Sequence, residues 1–246
     1  MHGSDNNDVS YERFLTEFDD HNTAFRKAAL TAGPDADVAT CPTWTVLRLV
    51  RHLAGVHAWV LACIADPHGS DARGERPPKE WDELLPWWDE RRAELRAAFD
   101  RGPDTPAQMM FGFYAPNLAS WARRQAHEVA VHRLDAELAA GAEPATFDAA
   151  FAADGVDEAL TMIIHRRRGG WSDVEASGAV LVHAEDARQL WSLTLTPGEP
   201  PTLGERAEPD ATLSGDADAV YKRLWRRPAT VSITGDASLL DPLETP

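Results

Sequence analysis

The sequence predicts an α+β protein in which a four-helix bundle is followed by a small domain that contains a β-sheet. Apolar side chains recur at helical spacing in four long stretches over the first part of the chain. After Pro144 the pattern changes to short alternating or β-branched runs, which are typical of strands. A chain of 246 residues is long enough for two domains, and we predict them at 1–143 and 144–246.

The predicted helices of the first domain have recognisable ends. Ser10, Thr45 and Asn117 are of the residue types that cap helix N-termini, while Gly33-Pro34 and Gly141 are typical C-terminal stops. The second helix begins after Thr45, and the other three are predicted at Tyr11–Thr31, Leu84–Phe99 and Trp121–Leu138.

The predicted second domain combines two helices with four strands. One helix precedes the strands and the other lies between the last two of them, which is an α+β order. The helices are predicted at Phe147–His165 and Ala217–Trp225, and the strands at Ala179–His183, Gln189–Thr196, Asp210–Ser214 and Thr230–Thr234.

Charge and composition exclude several classes of partner. The net charge of −16 would repel nucleic acid and anionic membranes, and no apolar run approaches the length of a membrane span. Residues Met1–Asp8 are polar and acidic, unlike a signal peptide, so we expect a frayed tail and a cytoplasmic protein. Cys41 and Cys63 match no zinc or redox spacing, and we expect both to be reduced and without a chemical role.

A candidate metal site combines residues of the second and fourth helices. Glu128 and His132 stand four residues apart on one helical face, and His52 shares the apolar stripe of the second helix with Leu49 and Leu53. Two imidazoles and one carboxylate suit Zn²⁺ and leave a fourth position open, although Fe²⁺ or Ni²⁺ would also fit. The alternatives are a surface Glu–His pair and a hydrogen-bonded core histidine.

The remaining histidines and several tryptophans are predicted to be structural. For the histidines we expect packing or solvent exposure, and for the tryptophans we expect burial in the core. These are His57, His127, His165 and His183, together with Trp44, Trp59 and Trp121.

Two segments carry a resemblance to a known family. Pro42–His57 (PTWTVLRLVRHLAGVH) and Trp121–Arg133 (WARRQAHEVAVHR) resemble the signature segments of the mycothiol-dependent maleylpyruvate isomerase family, part of the DinB-like group of metal-binding bundles. Members join the bundle to an α+β domain similar to sterol carrier proteins, so the resemblance spans nearly the whole chain. It implies that His52, Glu128 and His132 are zinc ligands.

The resemblance also implies a chemistry and its partners. In the family the metal binds the sulfur of mycothiol, a small intracellular thiol, and the resulting thiolate attacks an electrophilic small molecule. Release of the thiol after bond rotation gives cis–trans isomerisation, whereas retention gives a thiol S-transferase. Neither nucleic acid nor membrane is an expected partner, and both a monomer and a homodimer are compatible with the sequence.

Two arginines are candidates for contact with an anionic substrate. In the family an arginine of the C-terminal domain serves the active site, and the segment Tyr221–Pro228 resembles that region. Arg226 stands where the family commonly has glycine, so Arg227 is the nearest match; the alternative is a basic patch at a helix C-terminus. Arg124, one turn before Glu128, would either contact the substrate or hydrogen-bond the ligand carboxylate.

Two other functions are compatible with the same residues. A metal in this site would also activate water for hydrolysis. Alternatively, the protein is a non-catalytic regulatory protein that binds a metal and a small molecule, in which the metal only ties two helices together.

Overall fold

The computed structural model of the chain describes residues 9–109, 111–112, 114–167, 169–204 and 208–245. Internal contacts divide the chain into two units, Ser10–Ala145 and Thr146 onward. The predicted polar tail Met1–Asp8 lies outside the described residues.

The first unit consists of four helices close to the predicted positions. α1 is capped by Ser10, whose hydroxyl accepts the Arg13 N–H, and α4 is capped by Asn117, whose side chain accepts the Ser120 N–H. Thr45 precedes α2 but makes no capping bond with its side chain, and α3 begins before the predicted Leu84. The helices are α1 Tyr11–Ala32, α2 Val46–Ala65, α3 Trp81–Phe99 and α4 Leu118–Ala139.

Aromatic residues dominate the core of this unit. The most extensive helix contacts are those of α1 with α4 and of α2 with α3. Phe18 meets Phe99 edge to face at 5.8 Å between ring centroids, and Phe25 meets Trp88 at 5.3 Å. All four side chains are fully buried, and each contributes roughly 1.5–3 kcal/mol through burial of apolar surface.

Helix α2 is the most apolar helix of the bundle. By length and composition alone it would be able to cross a membrane, and half of that stretch is buried inside the structure. Burial of this kind is typical of the core helix of a bundle, and α2 also carries Arg48, Arg51 and two histidines.

The second unit contains a five-stranded sheet with the order β3-β2-β1-β4-β5. β1 pairs in parallel with β4, and the other pairs are antiparallel. Val180, Val182 and Ala184 of β1 point to the buried face. The strands are β1 Gly178–Ala184, β2 Gln189–Leu195, β3 Thr202–Leu203, β4 Ala211–Gly215 and β5 Ser232–Gly235.

The helices of this unit differ in part from the prediction. The single helix expected at Phe147–His165 is an α-helix, α5, only over Ala149–Glu158, and continues as a π turn and a 3₁₀ turn to Arg166. A β-branched run in this continuation disfavours the α conformation. α6, Ala217–Leu224, packs closely on α5, since a Cβ at Gly155 would lie 2.5 Å from the Tyr221 ring.

Candidate metal centre

The structure brings together the three side chains that were predicted as ligands. His52 Nε2 lies 2.9 Å from Glu128 Oε1, and His132 Nε2 lies 3.6 Å from the same oxygen. The three ligand atoms all lie within 4.8 Å of one another. Ligands of a tetrahedral cation with bonds of about 2.0–2.2 Å stand about 3.3–3.6 Å apart, so small adjustments would fit them to such an ion.

The candidate centre is accessible from solvent on the His52 side. The His52 side chain is 35% exposed, whereas His132 is 13% exposed and Leu49 and Leu53 of the same α2 stripe are fully buried. The spacing of apolar residues predicts His52 within the apolar stripe of α2. In the structure it lies at the edge of that stripe. This exposure gives a small molecule a route to the three side chains.

The Arg124 guanidinium is directed at the carboxylate of Glu128. Its Nη2 lies 2.5 Å from Glu128 Oε2, and the side chain is almost completely buried. Burial would raise the pKa of Glu128, but the charge of Arg124 and the hydrogen bonds from His132 and His52 outweigh it and hold that pKa well below its usual range. Glu128 is therefore an anion at neutral pH.

Asp135 orients His132 from the opposite side of the imidazole ring. His132 Nδ1 donates to Asp135 Oδ2 at 2.8 Å, and the hydroxyl of Thr40 donates to the other oxygen of this fully buried carboxylate. Because Asp135 holds the proton on Nδ1, Nε2 is the nitrogen that faces Glu128 and His52 and that would bind a cation after losing its own proton. A carboxylate behind a ligand histidine is a common feature of metal sites.

The same contacts set the proton affinity of His132. Burial would lower its pKa, but the hydrogen bonds and charges of Asp135 and Glu128 outweigh burial and raise the pKa to about 9. A cation that binds Nε2 has to displace a proton held with this affinity, so metal binding by this set is coupled to proton release.

A tight turn places Trp44 beside the candidate centre. The Trp44 N–H donates to the Cys41 carbonyl at 3.0 Å, with Pro42 in the second position and a left-handed Thr43 (φ 72°) in the third, as in a type II turn. The Trp44 ring lies 5.1 Å from the His52 ring and 6.3 Å from that of His132. Trp44 is only partly buried, so its assignment to the core was wrong, and it forms a wall of the site.

Cys41 also lies closer to these residues than the sequence indicated. Its Sγ is 3.6 Å from Asp135 Oδ2, and Cys41, His132 and Asp135 form a second group of potential ligand atoms within 4.8 Å of one another. Asp135 was not among the predicted residues, although an acid three residues after a candidate ligand histidine on one helix is a recognisable signal.

Most of the other histidines and tryptophans pack as predicted. His57 is fully buried and accepts a hydrogen bond from Trp88 Nε1 at 3.2 Å, and the fully buried His127 packs edge to face on Phe14. Trp121 is fully buried, as predicted, and His165 and His183 are partly exposed. Trp59 is only partly buried, so its assignment to the core was wrong, as for Trp44.

Arg227 belongs to the second unit, where its side chain is buried and donates to the Trp225 carbonyl. Arg226, in the position of the glycine that the resemblance leads one to expect, has a left-handed backbone with φ 57°, a conformation that favours glycine. The predicted role of Arg227 at the active site stays a prediction.

Similarity to known proteins covers both units. Residues 15–137 match the family described as the mycothiol maleylpyruvate isomerase N-terminal domain, and residues 150–242 match the MDMPI C-terminal domain. The chain belongs to the mycothiol maleylpyruvate isomerase family. No curated protein matches it.

Two solved structures share the fold. They are crystal structures of the mycothiol-dependent maleylpyruvate isomerase and of its H52A mutant, with TM-scores of 0.65 and 0.67. Each is 14% identical to this chain, and the match covers 97% of both chains. The predicted α+β fold, with the helical bundle first and the sheet-containing part second, is confirmed.

Proposed function

We propose that this protein is a metal-dependent enzyme that uses mycothiol as the nucleophile on a small electrophilic substrate, and that it isomerises a cis double bond as in maleylpyruvate. Family membership supports the thiol and the reaction type. The observation that carries the proposal is the cluster of His52, Glu128 and His132, which is accessible beside the partly exposed His52.

The donor set suits a divalent cation. Two imidazole nitrogens and one ionised carboxylate are ligands for Zn²⁺, with Ni²⁺ and Fe²⁺ as alternatives, and the set leaves a position for a further ligand. A bound cation would lower the pKa of a thiol that meets it, so that the thiolate is abundant at neutral pH.

The surrounding residues prepare the set for this role. Arg124 keeps Glu128 ionised, and Asp135 holds the proton on His132 Nδ1, so that Nε2 would be the nitrogen that ligates a cation once its own proton is displaced. The Trp44 ring lies against both histidine rings and forms one wall of the site. A small thiol would enter beside His52 and attack a double-bonded carbon. If the thiol leaves after rotation the product is the trans isomer, and if it stays the product is a thioether.

A thermal titration tests the coupling of thiol and metal. Mycothiol should raise the melting temperature of the zinc-loaded protein and leave that of the metal-stripped protein unchanged, because only a bound ligand shifts the folding equilibrium. The control is His52→Ala loaded in the same zinc buffer, which should show no shift. Equal shifts in both wild-type forms would contradict the proposal.

Product analysis separates the candidate reactions. Incubation of the zinc-loaded protein with mycothiol and maleylpyruvate should give the trans isomer, detected by NMR, with no net consumption of thiol. A thioether product would instead identify a thiol S-transferase, and cleavage of a substrate bond by water in the absence of thiol would identify a hydrolase. Metal binding without turnover would favour a regulatory protein.

The proposed chemistry also bears on location and partners. Mycothiol is a small intracellular thiol, and the net charge of −16 disfavours nucleic acid and anionic membranes. We therefore infer a cytoplasmic enzyme whose partners are the thiol and the electrophile.

A further inference from the structure

Arg48 lies one helical turn before His52 on α2. Because residues four apart share a helical face, its side chain emerges on the same side of α2 as the candidate ligand. Its guanidinium carbon is 5.1 Å from the centroid of the Trp44 ring, which is itself 5.1 Å from the His52 ring. The guanidinium of Arg48 and the imidazole of His52 are therefore neighbours of the same indole ring.

The charge of Arg48 is available to a ligand. Among the residues that the structure describes, no carboxylate lies within ion-pairing distance of its exposed side chain. Arg124, which contacts the candidate ligand Glu128, is buried and directed at that carboxylate. The chain has a net charge of −16, so an exposed arginine without a carboxylate partner near His52 would be a local exception to the overall negative charge.

The position of Arg48 is unfavourable for the helix itself. It lies in the first turn of α2, which contains no acidic residue, and the positive end of the helix dipole disfavours a cation there. The N–H groups of the first two residues of α2 are already used, because Val46 donates to Ala36 O and Leu47 to Pro34 O. The helix end is thus not an anion site by itself, and the side chain of Arg48 is the group that is free to bind.

Trp44 holds the guanidinium in a defined place. The backbone that carries the indole is held by the turn that begins at Cys41. It is also held by a hydrogen bond of 3.0 Å from the Val38 N–H to the Trp44 carbonyl. A guanidinium stacked on a fixed aromatic ring loses less conformational entropy when it binds a planar anion with its free edge.

From these observations we propose that Arg48, stacked on Trp44, recognises the carboxylate of the electrophile and so determines the enzyme's preference for acidic substrates. The inference rests on the proposed function, since it assigns a residue to the substrate of that same site. Arg48 is a specificity-determining residue and takes no part in the bond-making step.

The test uses maleate, a simple cis dicarboxylate, as a probe of binding to the zinc-loaded protein by isothermal titration calorimetry. Arg48→Gln should weaken maleate binding about tenfold or more, and Arg48→Lys by less, because a bidentate charged contact is lost or reduced. The matched control is Arg91→Gln, which removes an arginine stacked on Trp87 at 5.2 Å and should bind within about twofold of wild type.

Steady-state kinetics provides an independent readout. With the carboxylate electrophile, Arg48→Gln should raise KM about tenfold with little change in kcat, and the KM for the thiol should stay constant. A neutral ester of the same electrophile should be insensitive to the substitution.

Failure of this inference is distinguishable from failure of the proposed function. Equal maleate affinity in wild type and Arg48→Gln, or no maleate binding by wild type, would overturn the role of Arg48. If maleate binding depends on Arg48 but no thiol-dependent turnover occurs, the proposed function is wrong and Arg48 remains an anion-binding residue. If turnover occurs and KM is indifferent to Arg48, only the role of Arg48 is wrong.

Discussion

Helix α2 carries two histidines five residues apart in opposite environments. His52 lies at a partly exposed edge, 2.9 Å from the ionised carboxylate of Glu128. His57 is fully buried, with the Phe18 and Trp88 rings against it, and its Nδ1 accepts a hydrogen bond from the Trp88 indole. Among the described residues its Nε2 has no hydrogen-bond partner.

The two environments have opposite effects on charge. At the candidate metal centre, the carboxylates of Asp135 and Glu128 outweigh burial and raise the pKa of His132, whereas burial lowers the pKa of His57 to about 3. Acidic neighbours and access to solvent favour binding of a cation, either a proton or a metal ion, by a histidine. Burial without such neighbours leaves the histidine neutral, as a packing residue. The predictions below test this contrast.

The largest expected effect comes from alanine substitutions of the candidate ligands and of the core histidine. The first should remove zinc and the second should lower the unfolding free energy. His52→Ala or His132→Ala should abolish stoichiometric zinc at micromolar concentration while the protein stays folded. His57→Ala should bind zinc normally but lose roughly 2–4 kcal/mol of unfolding free energy, through the cavity and the unpaired Trp88 N–H. Metal analysis and urea denaturation of the metal-stripped proteins measure the two effects.

A different pattern would contradict the contrast directly. Full zinc content in both His52→Ala and His132→Ala would remove these residues as ligands. Loss of zinc from His57→Ala, with the fold retained, would mean that the core histidine contributes to the centre.

The next effect tests the carboxylate behind His132. Asp135→Asn keeps the shape of the side chain but removes the charge that holds the Nδ1 proton, and zinc affinity should fall about 10–100-fold. Competition with a chromophoric chelator measures this change. Asp89→Asn, which removes a carboxylate that is ion-paired with Arg26, is the control and should bind zinc like wild type. Unchanged affinity in Asp135→Asn would rule out an orienting role.

The smallest expected effect is an acid sensitivity that comes from His57. Burial, reinforced by the charges of Arg92 and His52 and opposed by Glu128, lowers its pKa from 6.5 to about 3. Between pH 6.5 and pH 3 the unfolded chain therefore binds one proton more than the folded protein. The contribution of neutral His57 to the unfolding free energy is complete above about pH 6.5 and is lost progressively as the pH falls toward 3. At pH 5 the loss amounts to roughly 2 kcal/mol.

The comparison with His57→Gln isolates this effect, since glutamine does not titrate and its carbonyl is able to accept the Trp88 N–H. Urea denaturation of both metal-stripped proteins at pH 7.5 and pH 5 gives the change in unfolding free energy. Wild type should lose more stability on acidification than the variant. Equal losses in the two proteins would show that His57 is not the group responsible.

The sequence was informative where local periodicity determines structure. Helical spacing was sufficient to place Glu128 and His132 on one face of α4 and to predict the long helices of the bundle. The proximity of His52 followed from its type and helical face, together with the resemblance. The change from helical to strand patterning after Pro144 was sufficient to predict the sheet.

The residues that were missed depend on tertiary structure. Trp44 is placed beside the candidate centre by a turn in which Thr43 has a left-handed backbone. Glycine or asparagine is usual at this position, so a threonine there does not predict such a turn. Asp135 is orienting only because Thr40 and His132 converge on it. β3 has two exposed residues and no apolar pattern, so only its pairing with β2 defines it.

One feature of α4 has a practical use in protein engineering. Arg124, Glu128, His132 and Asp135 follow one another along a single helix at successive turns, so their mutual arrangement is inherited from the backbone of one segment. Grafting the stretch from Arg124 to Asp135 onto an unrelated bundle would transfer most of the constellation intact. The recipient would then have to supply one imidazole from a facing helix and a hydroxyl that hydrogen-bonds Asp135, as Thr40 does here.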